Sequence, residues 1–294
     1  MKLIKITPRG FCSGVVNAWK QVEETILNNP NKIIYMLGLF VHNEEMIKRI
    51  IAKNLIILDD TNTSRYNLVK KIKNAKNSIL ILSAHGTDQK TINLAKRKKM
   101  QIVDTTCEYV YNTHKFINDS LKQNKVVIYI GRKNHPESNA TIKISKKILF
   151  IYQLDQIKKM KKFFNKDIVV TNQTTLSKID LQEYYNLIKF YFKNYYIKND
   201  LCNATIDRQN AILNLKENPN ILIVIGSNRS NNSLQLLKMG KFKKIEQNYL
   251  INSIDEIKKI KIREDDVIAI TSGASTPTWL TNEIINYLES IEWN

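Results

Sequence analysis

The sequence predicts an α/β protein made of three small related units, each with a short parallel sheet and crossover helices. Three observations carry this reading. The three cysteines are equally spaced, 107 − 12 = 95 and 202 − 107 = 95, and 294 − 202 = 92 residues follow the last. Each cysteine precedes a segment with helical spacing of apolar residues, and each such segment precedes a short apolar run ending in glycine. A second apolar run in each third ends in a polar loop.

The helices come first in each unit. After Cys12, residues Val15, Trp19, Val22 and Ile26 recur at i, i+4, i+7 and i+11. After Cys107, Val110, Ile117 and Leu121 share one face; after Cys202, Ile206 and Leu213 mark a weaker stripe. The first strands are expected at 33–37 before Gly38, 126–130 before Gly131 and 221–225 before Gly226. Their unbroken apolar character reads as buried parallel strand. Four residues beyond each glycine stand His42, His135 and Ser230. The second strands, 79–82, 168–170 and 267–270, lead into Ser83-Ala84-His85-Gly86, Thr171-Asn172-Gln173-Thr174-Thr175 and Thr271-Ser272-Gly273-Ala274-Ser275. Ligands of such sheets bind beyond the carboxyl ends of the strands, so one central site fed by all three units is expected. The units span 13–107, 108–201 and 202–294, with 1–12 as an N-terminal strand leading to Cys12. With eight glycines and five prolines in the whole chain, no flexible linker separates them.

Composition narrows the function classes. A chain with 43% hydrophobic and 25% charged residues folds rather than remaining disordered. No run of 18 apolar residues crosses a membrane, and Pro8 and Arg9 break the N-terminal apolar stretch too early for a secretory signal. An odd number of cysteines fits a reduced, cytoplasmic setting. The balance of 46 basic against 27 acidic residues gives +19. The basic runs at 96–99, 158–162 and 241–244 are scattered, which favours solvated surface over a nucleic-acid stripe, and no zinc-finger, RRM or KH signature accompanies them. A basic nucleic-acid-binding protein with a structural metal is the alternative, motivated by charge alone. A Cys/His nucleophilic transferase or hydrolase is a third reading.

Three thiolates from three units suit a metal or cluster. Structural zinc wants four ligands with close Cys pairs, and no such pair exists. Iron–sulfur clusters are held by thiolates, and three would leave one iron of a [4Fe–4S] cube open as a Lewis acid. A helix N-terminus favours the thiolate form.

Nine local motifs occur in order: Pro8-Arg9-Gly10-Phe11-Cys12-Ser13-Gly14-Val15, Val41-His42-Asn43, Ser83-Ala84-His85-Gly86, Asp104-Thr105-Thr106-Cys107, His135-Pro136-Glu137, Gln173-Thr174-Thr175-Leu176-Ser177, Cys202-Asn203-Ala204-Thr205 with Arg208-Gln209, Gly226-Ser227 with Ser230 to Ser233, and Ser272-Gly273-Ala274-Ser275. Together they resemble the 4-hydroxy-3-methylbut-2-enyl diphosphate reductase family, the likeness running from about residue 8 to 277. The resemblance implies a trefoil of three pseudo-threefold-related α/β units around one [4Fe–4S] cluster held by Cys12, Cys107 and Cys202. It implies reductive removal of the allylic hydroxyl of the diphosphate substrate, giving isopentenyl and dimethylallyl diphosphate, with ferredoxin or flavodoxin as electron donor. It implies no membrane and no specific nucleic-acid partner. His42, His85, His135, Thr174, Ser230, Asn231, Asn232 and Ser275 would bind substrate, and Glu137, Thr174 and His135 would serve catalysis.

The residue types fit that chemistry. A diphosphate needs many donors at close quarters, which imidazoles, hydroxyls and amides supply. Proline biases the residue before it toward extended backbone, so His135 and Glu137, two apart, can face one pocket. Burial beside an anionic substrate should raise the Glu137 pKa enough to hold a proton. His114, on the helix after Cys107, is expected to be structural. Two positions depart from the family pattern: Glu108 stands where proline is usual, adding negative charge near the cluster, and Asn231 where serine is common.

Overall fold

Helices and strands alternate along the chain, as the sequence pattern requires. The computed structural model of the protein describes residues 1–39 and 55–292. In chain order come β1 (Lys2–Lys5), α1 (Ser13–Leu27), β2 (Ile34–Leu37), β3 (Leu55–Leu58), α2 (Arg65–Lys71), β4 (Ile79–Leu82), α3 (Gln89–Arg97), β5 (Gln101–Asp104) and α4 (Glu108–Lys122). Next are β6 (Val126–Ile130), α5 (Pro136–Ile142), β7 (Leu149–Ile151), α6 (Asp155–Lys158), β8 (Asp167–Asn172), α7 (Lys178–Tyr191) and β9 (Asn194–Ile197). Last are α8 (Asn203–Leu213), β10 (Ile221–Ile225), α9 (Asn231–Phe242), β11 (Gln247–Ile251), α10 (Ile254–Ile257), β12 (Val267–Ser272) and α11 (Thr278–Glu289).

The described strands form three four-stranded sheets, ordered β3-β2-β4-β5, β7-β6-β8-β9 and β11-β10-β12-β1, and every pairing is parallel. All three share one plan, with the two apolar runs read from the sequence at the centre. The sheet of β10 borrows its fourth strand from the chain's beginning: β1 runs beside β12 with Lys2 opposite Val267 and Lys5 opposite Ile270. The strand expected before Cys12 therefore exists, and it joins the sheet of the last third.

The described residues gather into two compact units, residues 1–16 with 202–292, and residues 17–39 with 55–201. In the first, Ile223, Ile225, Ile268 and Ile270 bury against Leu280, Ile284 and Leu288 of α11. In the second, one core joins Leu37, Leu80 and Leu82 to Val69 and Ala95, and another joins Val127, Tyr129 and Val169 to Ile117. Each buried leucine, isoleucine or valine among them contributes about 1.5–3 kcal/mol by leaving water.

Each cysteine sits where a helix begins. Cys12 directly precedes α1, and Cys107 and Cys202 are the N-caps of α4 and α8. One stripe differs from expectation. Helix α8 buries Thr205, Arg208, Gln209 and Ile212, so Ile206 and Leu213 are not its inward face. The basic runs are largely exposed, and two of their lysines cap carbonyls: Lys98 Nζ donates to Lys70 and Ile72 oxygens, and Lys243 Nζ to Leu213 and Leu215 oxygens. No described helix is long and apolar enough to cross a membrane.

Helix α9 approaches β10 and β11 so closely that a Cβ on Gly240 would lie 2.0 Å from Asn248 Oδ1 and 2.3 Å from Leu222 Cδ2. Alanine gains about 1 kcal/mol in helix propensity over glycine, whereas overpacking a core costs about 1–3 kcal/mol. Overpacking should win: Gly240→Ala is expected to lower the urea midpoint, and a raised midpoint would refute the close approach.

Candidate active site

In the unit of residues 17–39 and 55–201, strand-end loops carry His85, His135 and Thr174, and the first turn of α5 carries Glu137. His135 is the N-cap of α5, with extended backbone (φ −79°, ψ 139°), and Pro136 starts the helix. The extended segment expected through Glu137 thus ends two residues earlier, at His135. Capping joins the pair instead: the Glu137 amide donates to His135 Nδ1 at 3.2 Å. A neutral His135 ring therefore carries its proton on Nε2. The His85 and His135 rings meet edge to face, 5.6 Å between centroids.

Glu137 is 2% exposed. Its Oε1 accepts from the Thr174 amide at 2.8 Å and its Oε2 from the Thr174 hydroxyl at 3.0 Å. Burial pushes its pKa up to about 7, against the two bonds from Thr174, which favour the anion, and with a smaller upward push from Asp200. Thr174 is itself buried. Its loop is fixed by Gln173, whose Oε1 accepts from the Arg132 amide at 2.9 Å and from Ser138 Oγ at 3.2 Å. His114 is structural, as expected. Burial lowers its pKa to about 4, so the ring is neutral. Its Nε2 lies 3.0 Å from Thr141 Oγ1, whose proton goes to the Glu137 carbonyl, so Nε2 is the donor.

Cys107 belongs to the same unit. Its amide donates to the Ala84 carbonyl at 3.0 Å, next to His85, and its sulfur makes no capping bond to α4. Glu108, the first residue of α4, is exposed, where a carboxylate suits the positive helix end.

The unit of residues 1–16 and 202–292 holds Cys12, Cys202, Ser230, Asn231, Asn232 and Ser275. A hydrogen-bond chain joins its two cysteines. The Cys12 amide donates to Ala274 O (3.0 Å), the Ala274 amide to Asn232 Oδ1 (2.9 Å), and Asn232 Nδ2 to Thr205 Oγ1 (3.2 Å), which also accepts from Cys202 Sγ (3.2 Å). Ser230 caps α9 through the Ser233 amide, and Ser275 Oγ stands 3.5 Å from Ser230 Oγ. Asn231 is 2% exposed, its Oδ1 accepting from Gln235 Nε2 at 3.4 Å. His42 lies outside the described residues.

Arg208, quoted above only within a motif, proves central. It is buried, its Nη1 donating to Ala204 O at 3.1 Å and its Nη2 to Gly10 O at 2.7 Å, two residues from Cys202 and from Cys12. Desolvation lowers its pKa, and the negative potential of Cys12 and Cys202 offsets part of that. Its Nε is buried without a hydrogen-bond partner. Arg208 thus sets a buried guanidinium beside both chain segments that carry these cysteines. None of the three cysteines is in a disulfide and all are half-buried. These features fit thiolate ligands of a cluster. Among the described residues, no three His, Cys, Asp or Glu side chains come together as a metal site.

The family model for LytB protein matches residues 3–289. A 4-hydroxy-3-methylbut-2-enyl diphosphate reductase from Malacoplasma penetrans is 43% identical over 292 residues, covering 98% of this chain and 97% of its own. One of the same name from Bacillus subtilis is 31% identical, covering 99% of this chain and 92% of its own. Among solved structures, the E-1-hydroxy-2-methyl-but-2-enyl-4-diphosphate reductase from Plasmodium falciparum superposes with a TM-score of 0.85 at 29% identity, over 98% of this chain and 88% of its own.

A carboxyl whose pKa is about 7 in the folded state and 4.5 ordinarily binds its proton more tightly when folded. Its contribution is full below pH 4.5 and is lost as pH rises through 7, about 3 kcal/mol at most. Relative to the unmodified protein, Glu137→Gln should therefore gain stability between pH 5 and pH 8. Urea unfolding at both values checks this; an equal difference at both would show that Glu137 titrates normally.

Proposed function

The chain belongs to the LytB protein family, and from that membership we infer that it is a 4-hydroxy-3-methylbut-2-enyl diphosphate reductase, an oxidoreductase of the non-mevalonate pathway to isoprenoids. Substrate, two electrons and two protons yield isopentenyl or dimethylallyl diphosphate and water. One proton leaves with the hydroxyl oxygen and the other ends on carbon. Membership leaves the nucleic-acid alternative without support.

We assign Cys12, Cys107 and Cys202 as the ligands of one [4Fe–4S] cluster. Their equal spacing, their places at helix starts and the buried Arg208 charge near two of them support this. When bound, the cluster supplies one-electron relay and a Lewis-acidic iron. Ferredoxin or flavodoxin is the proposed donor, and the cytoplasm the proposed compartment.

The remaining work falls to this chain's side chains. His42, His85, His135, Ser230, Asn231, Asn232 and Ser275 bind the diphosphate in this reading, with His135 presenting Nε2–H. Glu137 is the acid. At a pKa of about 7 it is protonated in comparable measure to ionised at neutral pH, the condition a general acid needs. Its hydrogen bond to the Thr174 hydroxyl carries the argument. A protonated Glu137 donates to Thr174 Oγ1, which passes its own proton to the departing oxygen, so Thr174 serves both substrate binding and relay.

Anaerobic iron and sulfide analysis with a turnover assay tests the assignment. About four irons per chain are expected, as a [4Fe–4S] cube requires. Cys107→Ser should lose the cluster. Glu137→Gln should keep cluster and substrate binding while turnover falls by about 10²–10⁴. A colourless, zinc-loaded, inactive protein after reconstitution would overturn the function, and near-normal turnover by Glu137→Gln would remove it as the acid.

A further inference from the structure

The loop around His85 is fastened by a side chain outside every motif above. We infer that Arg65 is a positioning residue for substrate binding, holding residues 83–87 in the shape that presents His85; this rests on the reading of His85 as a diphosphate ligand. Arg65 opens α2 and is 7% exposed. Its Nε donates to Asp60 Oδ2 at 2.6 Å. Its Nη2 donates to Ser83 Oγ at 2.8 Å, and its Nη1 to the Gly86 carbonyl and, at 3.1 Å, to Thr87 Oγ1. One rigid fork thus grips the loop on both sides of His85.

The surroundings are shaped to the guanidinium. Gly38 has φ +80°, and a Cβ there would stand 2.6 Å from Arg65 Nη2 and 3.1 Å from Asp60 Oδ2. At the matching glycine of the other two sheets, the neighbour is a serine hydroxyl, Ser138 or Ser233. Among the described residues, the ion pair at that place belongs to the His85 loop. Buried ion pairs return little net stability, because desolvation cancels most of the attraction. What a planar fork supplies is fixed geometry. The same loop accepts the Cys107 amide at Ala84.

The test uses anaerobic holoenzyme, with inorganic pyrophosphate as the binding probe and steady-state kinetics on the substrate. Arg65→Lys keeps the charge and loses the fork. Pyrophosphate affinity should fall about tenfold and KM rise in parallel, with kcat within about twofold, as for lost positioning of a binding group. Ser83→Ala and Thr87→Val each remove one acceptor and should weaken affinity about threefold. In a His85→Ala background, Arg65→Lys should cost nothing further. Unchanged affinity in Arg65→Lys, or losses that simply add to those of His85→Ala, overturns the positioning role while leaving His85 as a ligand. Unchanged affinity in His85→Ala itself overturns both. Should Arg65→Lys fail to fold, the Ser83 and Thr87 variants decide, and unchanged affinity in both refutes the inference.

Discussion

Where a buried parallel strand ends, its ladder of hydrogen bonds ends too, and each remaining polar group must find another partner or cost about 1–3 kcal/mol. The strand ends of this protein meet that demand with side chains and loop amides. The Gln173 amide donates to the carbonyl of Ile130, the Gly273 amide to Ile225 and the Thr105 amide to Leu82. Gln173, Asn232 and Arg65 then tie loop to loop. With the backbone satisfied from below, polar side chains at this end can be aimed outward, at fixed angles, toward a ligand.

The same economy of water governs the ionisable groups. Glu137 and Arg208 are both buried, and desolvation pushes each toward its neutral form. Their neighbours differ. Thr174 gives the carboxyl two hydrogen bonds that favour its anion, whereas the negative potential of Cys12 and Cys202 offsets part of the desolvation of the guanidinium. A carboxyl raised toward neutrality and a buried guanidinium thus arise from one physical cause acting beside different partners.

Much of this was legible in the chain. The central strands announce themselves because both faces are covered, leaving unbroken apolar runs such as ILIVI and ILIL. Edge strands β5 (QIVD) and β9 (NYYI) are largely open to water, so their apolar signal is diluted and periodicity passes over them. The helix starts at the cysteines, the buried Glu137 with its Thr174 partner, and the structural His114 agree with the sequence reading. The α8 stripe does not, because its inward face is polar: Thr205 and Arg208 serve the hydrogen-bond and charge network beside the cysteines, and Gln209 is buried with them. Arg65 left no trace in any pattern, since a lone arginine after a helix-capping serine looks like ordinary surface.

The pairing of β1 with β12 has a consequence for biogenesis. The two strands lie 267 − 2 = 265 residues apart, nearly the full chain. At roughly 5–20 residues per second, a ribosome needs roughly 13–53 s between making the first strand and making its partner. During that interval Lys2–Lys5 has no edge to join, so the segment that leads to Cys12 stays undocked until β12 has been made.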